Sequence, residues 1–315
     1  MNGWLRVLCT VAVLGARVSL GAEETIGTDA RTGAPEEGSP TNRESMDALD
    51  VRISKERELL TRRFAIMPHR GTYLLPASWN ARANREFDDT TGHETEKLEV
   101  KLQLSLKVAM FPATFRRAFH DKLFAFFGYT QQSYWQLWNT KDSAPFRETN
   151  YEPELMVTYL PDPLPVLGRA LRLATVGFAH QSNGQSEPLS RSWNRLYGQA
   201  VFGKGGFVSG VKLWKRVNWL EGGEDDNPDI EDYAGRAEVF TRYVFNSTNS
   251  LGLTVRDNLR LENRGSAQID WSVAPLWADT VTLYLQYFVG YGESLIDFDH
   301  VSNRISAGVK LVDWL

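Results

Sequence analysis

The segment 177–197, GFAHQSNGQSEPLSRSWNRLY, contains the residue types of a serine-dependent hydrolytic site. His180 stands two residues before Ser182, and Asn194 follows twelve residues after that serine. A serine hydroxyl is a weak nucleophile unless a neighbouring base takes its proton, and the base needs a third group to orient it. The three residues therefore suit acyl transfer, provided that the fold brings them together.

The sequence around these residues has the two-residue period of β-strands. Even positions of the first strand are Ala174, Val176, Phe178, His180 and Ser182, and those of the next strand include Ser192, Asn194, Leu196 and Phe202. Successive strand residues point to opposite faces, so His180, Ser182 and Asn194 share a face that is otherwise apolar.

A hairpin centred near Glu187 and Pro188 predicts that His180 lies opposite Asn194 and that Ser182 lies opposite Ser192. Directly opposed residues have Cβ atoms about 4.5 to 5.5 Å apart, close enough for an asparagine side chain to hydrogen bond an imidazole. The alternative is a polar loop edge above a membrane, where serine and asparagine are common. The fit of the pairing, and the oddity of histidine on a lipid-facing rim, favour the catalytic interpretation.

The rest of the chain predicts the scaffold. In residues 98–111, LEVKLQLSLKVAMF, one face is aliphatic from Leu98 to Met110 and the other carries charge. Strands average 5 to 6 residues in globular proteins, whereas about 9 to 11 are needed to cross a bilayer at a tilt. Similar segments recur at 123–137, 171–182, 192–203, 207–219, 233–245, 251–262, 267–274, 280–291 and 303–315. With about 19 residues per strand, residues 90–315 predict an antiparallel transmembrane β-barrel of 12 strands.

Composition excludes several other classes of protein. The chain of 315 residues has a formal net charge of −4 and no basic stripe, which argues against a nucleic-acid partner. It has no apolar run of 18 residues, so helical membrane spans are not expected. The 10 Trp, 11 Tyr and 16 Phe residues could furnish the aromatic girdles of a barrel.

The N-terminal region has the features of an exported protein. Residues 1–22 are interpreted as a signal peptide, with Arg6 before an apolar run and small residues before Glu23. The single cysteine, Cys9, falls inside this signal, so the mature chain would have no thiol chemistry. Residues 23–64 are interpreted as a polar leader with an amphipathic helix at 44–64, followed by a barrel domain at 65–315.

Five separate stretches resemble the outer membrane phospholipase A family of Gram-negative bacteria. They are YTQQSYWQL (129–137), SAPFRETNYEPEL (143–155), the opening segment, DDNPDI (225–230) and GYGESLIDF (290–298). The resemblance implies a 12-stranded barrel in the outer membrane that hydrolyses sn-1 and sn-2 acyl esters of phospholipids and lysophospholipids. It also implies a calcium cofactor and activation by homodimerisation.

The same resemblance assigns individual roles. Ser182 matches the nucleophile, His180 the base and Asn194 the orienting residue, while the backbone amide of Gly184 helps to form the oxyanion hole. Calcium would be held between subunits by backbone oxygens of Ser143 and Gln185 and by the Ser190 hydroxyl, with Asp226 a ligand in the monomeric form. Gln131 lies in the implied dimer contact on a lipid-facing barrel surface. Gln185 departs from the family, where a basic residue is expected, although a carbonyl ligand should survive the change.

Two other interpretations remain open on the sequence alone. A non-enzymatic outer-membrane barrel, either a pore or a structural protein, could keep the scaffold without the chemistry. A soluble periplasmic β-sandwich hydrolase would instead bury the aliphatic face of residues 98–110 against a second sheet.

Overall fold

A computed structural model of the protein describes residues 47–60, 65–110, 119–166, 168–218, 225–246, 248–275 and 281–312. The predicted signal peptide at 1–22 and the leader as far as residue 46 lie outside the described residues, as does the predicted helix position Phe64.

Within the described residues, twelve long strands form a closed antiparallel barrel, which confirms the predicted fold class. These strands are β2 (Thr72–Asn80), β3 (Leu98–Ala109), β4 (Leu123–Trp135), β5 (Phe146–Tyr159), β7 (Arg169–Ser182), β8 (Ser192–Lys204), β9 (Phe207–Arg216), β10 (Ala237–Asn246), β11 (Asn249–Asp257), β12 (Gly265–Val273), β13 (Thr282–Gly290) and β14 (Ser302–Val312). The pairings β14 to β2 and β3 to β4 close the ring, while the short strands β1 (Ile66–Pro68) and β6 (Leu164–Val166) extend its rim by pairing with β3 and β7.

Two barrel strands are absent from the predicted set of segments. Strand β2 lies before residue 90 and contains Pro76 at a bulge in its pairing with β3, and β5 contains Pro153 among acidic and amide residues. Proline is depleted in strands, as are the acidic residues of β5, so each segment contains an interruption that argues against a strand. The strand predicted at 233–245 starts at Ala237 instead, because Ile230–Tyr233 form a short helix.

The two faces of the barrel differ in the way that a membrane requires. Aliphatic side chains such as Val176, Leu213 and Ile305 are more than half exposed on the outer face. The inner face buries charged residues, including Glu99, Lys101 and Arg304. A closed barrel pairs all its strand backbones and turns apolar residues toward lipid, so this distribution excludes the predicted alternative of a soluble sandwich.

The two ends of the barrel also differ. One end of the barrel, here called the loop end, carries the connections 81–97, 136–145, 183–191, 258–264 and 291–301 and the described residues 217–218 and 225–236. Connections at the other end, here called the turn end, include the two-residue turn 205–206. Alternation of short turns with longer loops distinguishes the periplasmic from the outer side in outer-membrane barrels. The candidate catalytic residues lie at the loop end.

The predicted N-terminal helix is present as α1 (Ala48–Leu59), and it packs at the turn end against inward-facing barrel residues. Leu49 is buried against Val201 and Val208, while Leu60 joins a cluster with Phe124 and Phe126. Two further short helices are described, α2 (Asp88–Thr91) and α3 (Ile230–Tyr233), both in loops. None of the described helices is long and apolar enough to cross a membrane.

Candidate active site

His180 and Asn194 face each other across strands β7 and β8. The strand register pairs His180 with Asn194 and Ser182 with Ser192, which confirms the predicted hairpin pairing. The imidazole Nδ1 of His180 lies 2.8 Å from Oδ1 of Asn194, so the ring can donate a hydrogen bond to the amide oxygen. With Nδ1 carrying the proton, Nε2 of the same ring is free to accept one.

Ser182 lies two residues beyond His180 on the same face of β7. Two strand residues span roughly 7 Å, a distance across which a serine hydroxyl can turn toward an imidazole. The neighbouring outer-face residues Val176 and Leu196 are exposed. The trio therefore sits at the loop-end border of the apolar outer surface, as the strand parity predicted, rather than in the barrel interior.

The loop after Ser182 has an unusual backbone at Gly184. Its φ of +67° lies in the left-handed region, which costs other L-residues about 1 to 2 kcal/mol. A Cβ atom at this position would lie 3.4 Å from the ring of Tyr151. Glycine therefore allows the backbone to turn sharply within two residues of Ser182, where an oxyanion hole would need an amide.

Asn183, between Ser182 and Gly184, was missed by the sequence analysis, although it organises this loop. Its Oδ1 accepts hydrogen bonds from the amides of Gln185, at 3.3 Å, and Arg191, at 3.0 Å. Its Nδ2 donates to the carbonyl of Leu189 at 2.8 Å. An asparagine that bonds its own backbone two residues on is a known turn former, and this was the only available sequence signal.

Two of the four predicted calcium ligands meet in the structure. The Ser190 hydroxyl donates to Oδ2 of Asp226 at 2.5 Å, so two hard oxygen ligands from different loops lie together. Ser143 lies in the separate β4–β5 loop, where it has a positive φ of 61°. No group of three or more His, Cys, Asp or Glu side chains suited to a metal occurs among the described residues. The calcium assignments of Ser143, Gln185, Ser190 and Asp226 stay predictions.

The loop that carries Asp226 is anchored to strand β8, which carries Asn194. Oδ1 of Asn227 accepts a hydrogen bond from the amide of Ser192 at 2.9 Å. The guanidinium of Arg216 donates to the Asn227 carbonyl at 2.8 Å and to Asp225 at 2.6 Å. These contacts span 35 residues of sequence in the case of Ser192 and Asn227, which is why a local motif could not predict them.

Glu231 fastens the other end of the same loop. Burial alone would raise the pKa of its carboxyl, but hydrogen bonds from the Arg216 amide and from the Lys215 and Arg236 side chains hold that pKa below its usual value. The Arg216 amide lies 2.6 Å from the carboxylate. The loop is thus held to the barrel by charge-assisted hydrogen bonds, which are the stronger kind.

Gln131 lies on the outer face in the same lateral row as Ser182. The register pairs Gln131 with Tyr151, and Tyr151 with Ser182. Adjacent strands are about 4.8 Å apart, so Gln131 is roughly 10 Å from Ser182 along this row. A partner that covered Gln131 would therefore also reach the candidate catalytic residues.

Comparison with known proteins assigns the chain to a family. The model of the family described as phospholipase A1 matches residues 49–311. Phospholipase A1 of Klebsiella pneumoniae is 37% identical over 253 residues, which cover 79% of this chain and 83% of that protein.

Solved structures agree with this assignment. Outer membrane phospholipase A from Escherichia coli superimposes with a TM-score of 0.71 at 35% identity, covering 80% of this chain and all of that one. The calcium-bound dimer of the outer membrane phospholipase of Salmonella typhi has a TM-score of 0.71 at 34% identity, covering 82% of this chain and 97% of that one. The chain belongs to the phospholipase A1 family of outer-membrane enzymes.

Proposed function

We propose that the protein is a calcium-dependent outer-membrane phospholipase that hydrolyses sn-1 and sn-2 acyl esters of phospholipids and lysophospholipids, using Ser182, His180 and Asn194, and that it is active as a homodimer. The observation that carries the proposal is the 2.8 Å contact between His180 Nδ1 and Asn194 Oδ1 on the outer face, beside Ser182. This contact would orient the base for the serine two residues along the same strand, at the border of the apolar surface, where an acyl ester would lie.

The first half of the reaction forms an acyl-serine. The Ser182 hydroxyl oxygen attacks the ester carbonyl carbon while Nε2 of His180 takes the hydroxyl proton. The Gly184 amide would donate a hydrogen bond to the resulting oxyanion. When the carbon–oxygen bond to the glycerol breaks, His180 returns its proton to the leaving alkoxide, and lysophospholipid departs as an alcohol.

The second half restores the enzyme. His180 takes a proton from water, the hydroxyl attacks the acyl-serine carbonyl, and the fatty acid leaves as Ser182 recovers its proton. Throughout both halves Asn194 keeps the imidazole in one tautomer by accepting its Nδ1 hydrogen bond. A neutral amide can do this without placing another charge on the apolar outer face.

The residues of the loop end suit a calcium ion. The Ser190 hydroxyl and the Asp226 carboxylate already meet, and both are oxygen ligands of the kind that calcium takes. In the dimer, the Gln185 carbonyl and the Ser143 carbonyl of the partner chain would join the Ser190 hydroxyl, whereas Asp226 would serve as a ligand in the monomer. When bound, calcium would supply electrostatic stabilisation of the negative charge that develops at the ester oxygen.

Dimerisation is supported by the position of the site rather than by any single contact. The row from Gln131 through Tyr151 to Ser182 lies on one outer surface, so a second barrel packed there would cover the substrate and could contribute a calcium ligand. The groove between the two packed barrels would also hold an acyl chain against the catalytic residues.

The barrel interior disfavours the alternative of a passive pore. Arg304 bridges Glu99 and Glu293, Lys101 also bonds Glu293, and Arg242 pairs with Asp270 across strands. The interior cavity has a volume of about 380 Å³, lined by such side chains. Barrels of this strand number are readily filled by their own side chains.

Fatty-acid release from phospholipid in mixed detergent micelles tests the proposal. Wild type should release fatty acid with calcium and lose this activity with a chelator, whereas Ser182→Ala should be inactive in both conditions. Ser192→Ala changes the serine that pairs with Ser182 and is the matched control. Equal activity of Ser182→Ala and wild type would refute the proposal, and single-channel conductance without hydrolysis would support a pore.

A further inference from the structure

A buried carboxylate lies on the inner side of the barrel wall, directly behind the loop that follows the nucleophile. Glu148 is on the inward face of β5 and is 1% exposed. Its Oε2 accepts hydrogen bonds from Nδ2 of Asn183 at 3.4 Å and from Nε2 of Gln185 at 3.5 Å. These two donors flank Gly184, whose amide is the proposed donor to the oxyanion.

The other oxygen of Glu148 is tied to a different loop. Oε1 accepts from the Ile296 amide at 3.2 Å and also from the Asn150 side chain. Asn150 Oδ1 in turn accepts from the Leu295 amide at 3.0 Å. The carboxylate thus connects the β7–β8 loop to the β13–β14 loop across the barrel wall.

The β13–β14 loop gives this connection a fixed support. Asp297 pairs with Arg147 at 2.7 Å, and Glu293 bonds Lys101 and Arg304. All of these side chains are largely buried, where hydrogen bonds are stronger than in water and are costly to leave unmade. The Glu148 carboxylate therefore has an immobile anchor on one side and the catalytic loop on the other.

We infer that Glu148 and Asn183 are positioning residues for catalysis. They hold the backbone from Asn183 to Gln185 so that the Gly184 amide points to the oxyanion and the Gln185 carbonyl points to calcium. The inference rests on the proposed function, since it assigns those two roles to Gly184 and Gln185. Neither residue touches the substrate; both act through the loop.

The chemistry of the pair explains why these residue types are needed. Burial of a carboxylate costs free energy unless hydrogen-bond donors surround it. Glu148 has four such donors, from Asn183, Gln185, Ile296 and Asn150. Asn183 is suited to the other role because it both accepts from loop amides and donates to Leu189 and Glu148. A misplacement of about 1 Å in such a scaffold can cost on the order of 100-fold in rate.

Near-isosteric variants test the inference. Asn183→Asp removes the donor toward Glu148, and Glu148→Gln replaces one acceptor oxygen with a donor. Each single variant should lower kcat by about 10-fold or more with little change in KM, and each should require more calcium for half-maximal activity. The double variant, Asn183→Asp with Glu148→Gln, places a donor opposite an acceptor again and should recover part of the lost kcat.

Glu154→Gln is the matched control. Glu154 is equally buried on the same inward face of β5 but bonds His69 and Arg70, away from the loop. It should keep the wild-type kcat. Each variant is first shown to be folded by its shifted mobility on unheated electrophoresis, and kcat is expressed per folded molecule.

The outcomes separate this inference from the proposed function. If Ser182→Ala retains activity in the same assay, the proposed function fails. If Ser182→Ala is inactive while Asn183→Asp and Glu148→Gln keep wild-type kcat and calcium dependence, only the positioning role is overturned. Two further results would overturn the positioning role. One is a loss of kcat in the single variants that is no larger than in Glu154→Gln, and the other is a fold-loss of kcat in the double variant equal to the product of the two single fold-losses.

Discussion

The His180 imidazole is fixed by Asn194, whose Oδ1 lies 2.8 Å from Nδ1 across the β7–β8 pair. Both residues belong to regular strands, so the orientation of the base depends on barrel pairing and not on a mobile loop. Asn194 is 4% exposed although it is on the outer face, which protects the hydrogen bond from competition by water.

Asn194→Ala should therefore lower kcat while the barrel stays folded. Without the acceptor, the imidazole can rotate or adopt the other tautomer, and a loss of about 100-fold is expected from such misorientation. Asn194→Asp keeps an acceptor oxygen and should retain more activity than the alanine variant. Initial rates of fatty-acid release measure both, and an alanine variant as active as wild type would remove Asn194 from the mechanism.

Gly184→Ala should lower kcat through the backbone. The residue has a φ of +67°, and an L-residue there is strained by about 1 to 2 kcal/mol. The loop can relieve this strain by turning the amide away from the oxyanion. Gly198→Ala is the matched control, because a Cβ atom there meets nothing within 4 Å. Unchanged kcat in Gly184→Ala would show that the amide has no role or that the loop tolerates the strain.

Asp226→Asn and Ser190→Ala should each raise the calcium concentration needed for half-maximal activity. The two side chains contact each other at 2.5 Å, and each supplies one of the oxygen ligands proposed for the ion. Saturating calcium should restore much of the rate, since neither residue takes part in proton transfer. Asp162→Asn, which affects an exposed ion pair with Lys122 at the turn end, is the control. Identical calcium titrations of all three variants would exclude Asp226 and Ser190 as ligands.

The sequence could predict the strand positions of the candidate catalytic residues. The two-residue period placed His180, Ser182 and Asn194 on one face, and a hairpin centred near Glu187 and Pro188 predicted their register, because both features depend on residues close in sequence. Strands β2 and β5 escaped prediction because Pro76 and Pro153 and their polar neighbours mask the alternation. The sequence also does not distinguish the inward glutamates of β5 from one another. Glu152 pairs with an arginine inside the barrel, whereas Glu148 bonds two loops.

The supports of the site depend on contacts that are distant in sequence. Glu148 bonds Asn183 across 35 residues and Ile296 across 148. The first pair depends on the pairing of β5 with β7, the second brings in the distant β13–β14 loop, and no local pattern records either. The resemblance to a family supplied roles for Ser143, Gln185 and Asp226, but not the network that holds their loops.

Acidification should loosen the loop that carries Asp226. The folded protein holds the pKa of Glu231 below its usual value, because hydrogen bonds from Arg216, Lys215 and Arg236 outweigh the effect of burial. The resulting stability is complete above the pKa of the unfolded chain and is lost as the pH falls through the lower pKa of the folded state. Hydrogen exchange in residues 225–236, corrected for intrinsic rates, should rise over that acidic range. Glu231→Gln should abolish this extra pH dependence, and a glutamine variant that keeps it would assign the effect to other groups.

The docking of helix α1 depends on a close approach between Leu49 and Gly203. A Cβ atom at position 203 would lie 3.2 Å from Cδ2 of Leu49, tighter than an ordinary contact. Gly203→Val should therefore displace the helix, and Leu49→Ala should weaken its packing by about 2 to 5 kcal/mol. Lys55 and Arg57 are exposed in the docked helix, so release of the helix should make the peptide bonds after both residues more sensitive to trypsin while the barrel remains folded.

Gly198→Val is the matched control. Gly198 lies on the outer face of the same strand with open space around it, so this variant should leave the cleavage rate unchanged. Equal trypsin sensitivity of Gly203→Val and Gly198→Val would show that α1 is held by its polar contacts, such as Lys107 with Glu56 at 3.0 Å, rather than by Leu49.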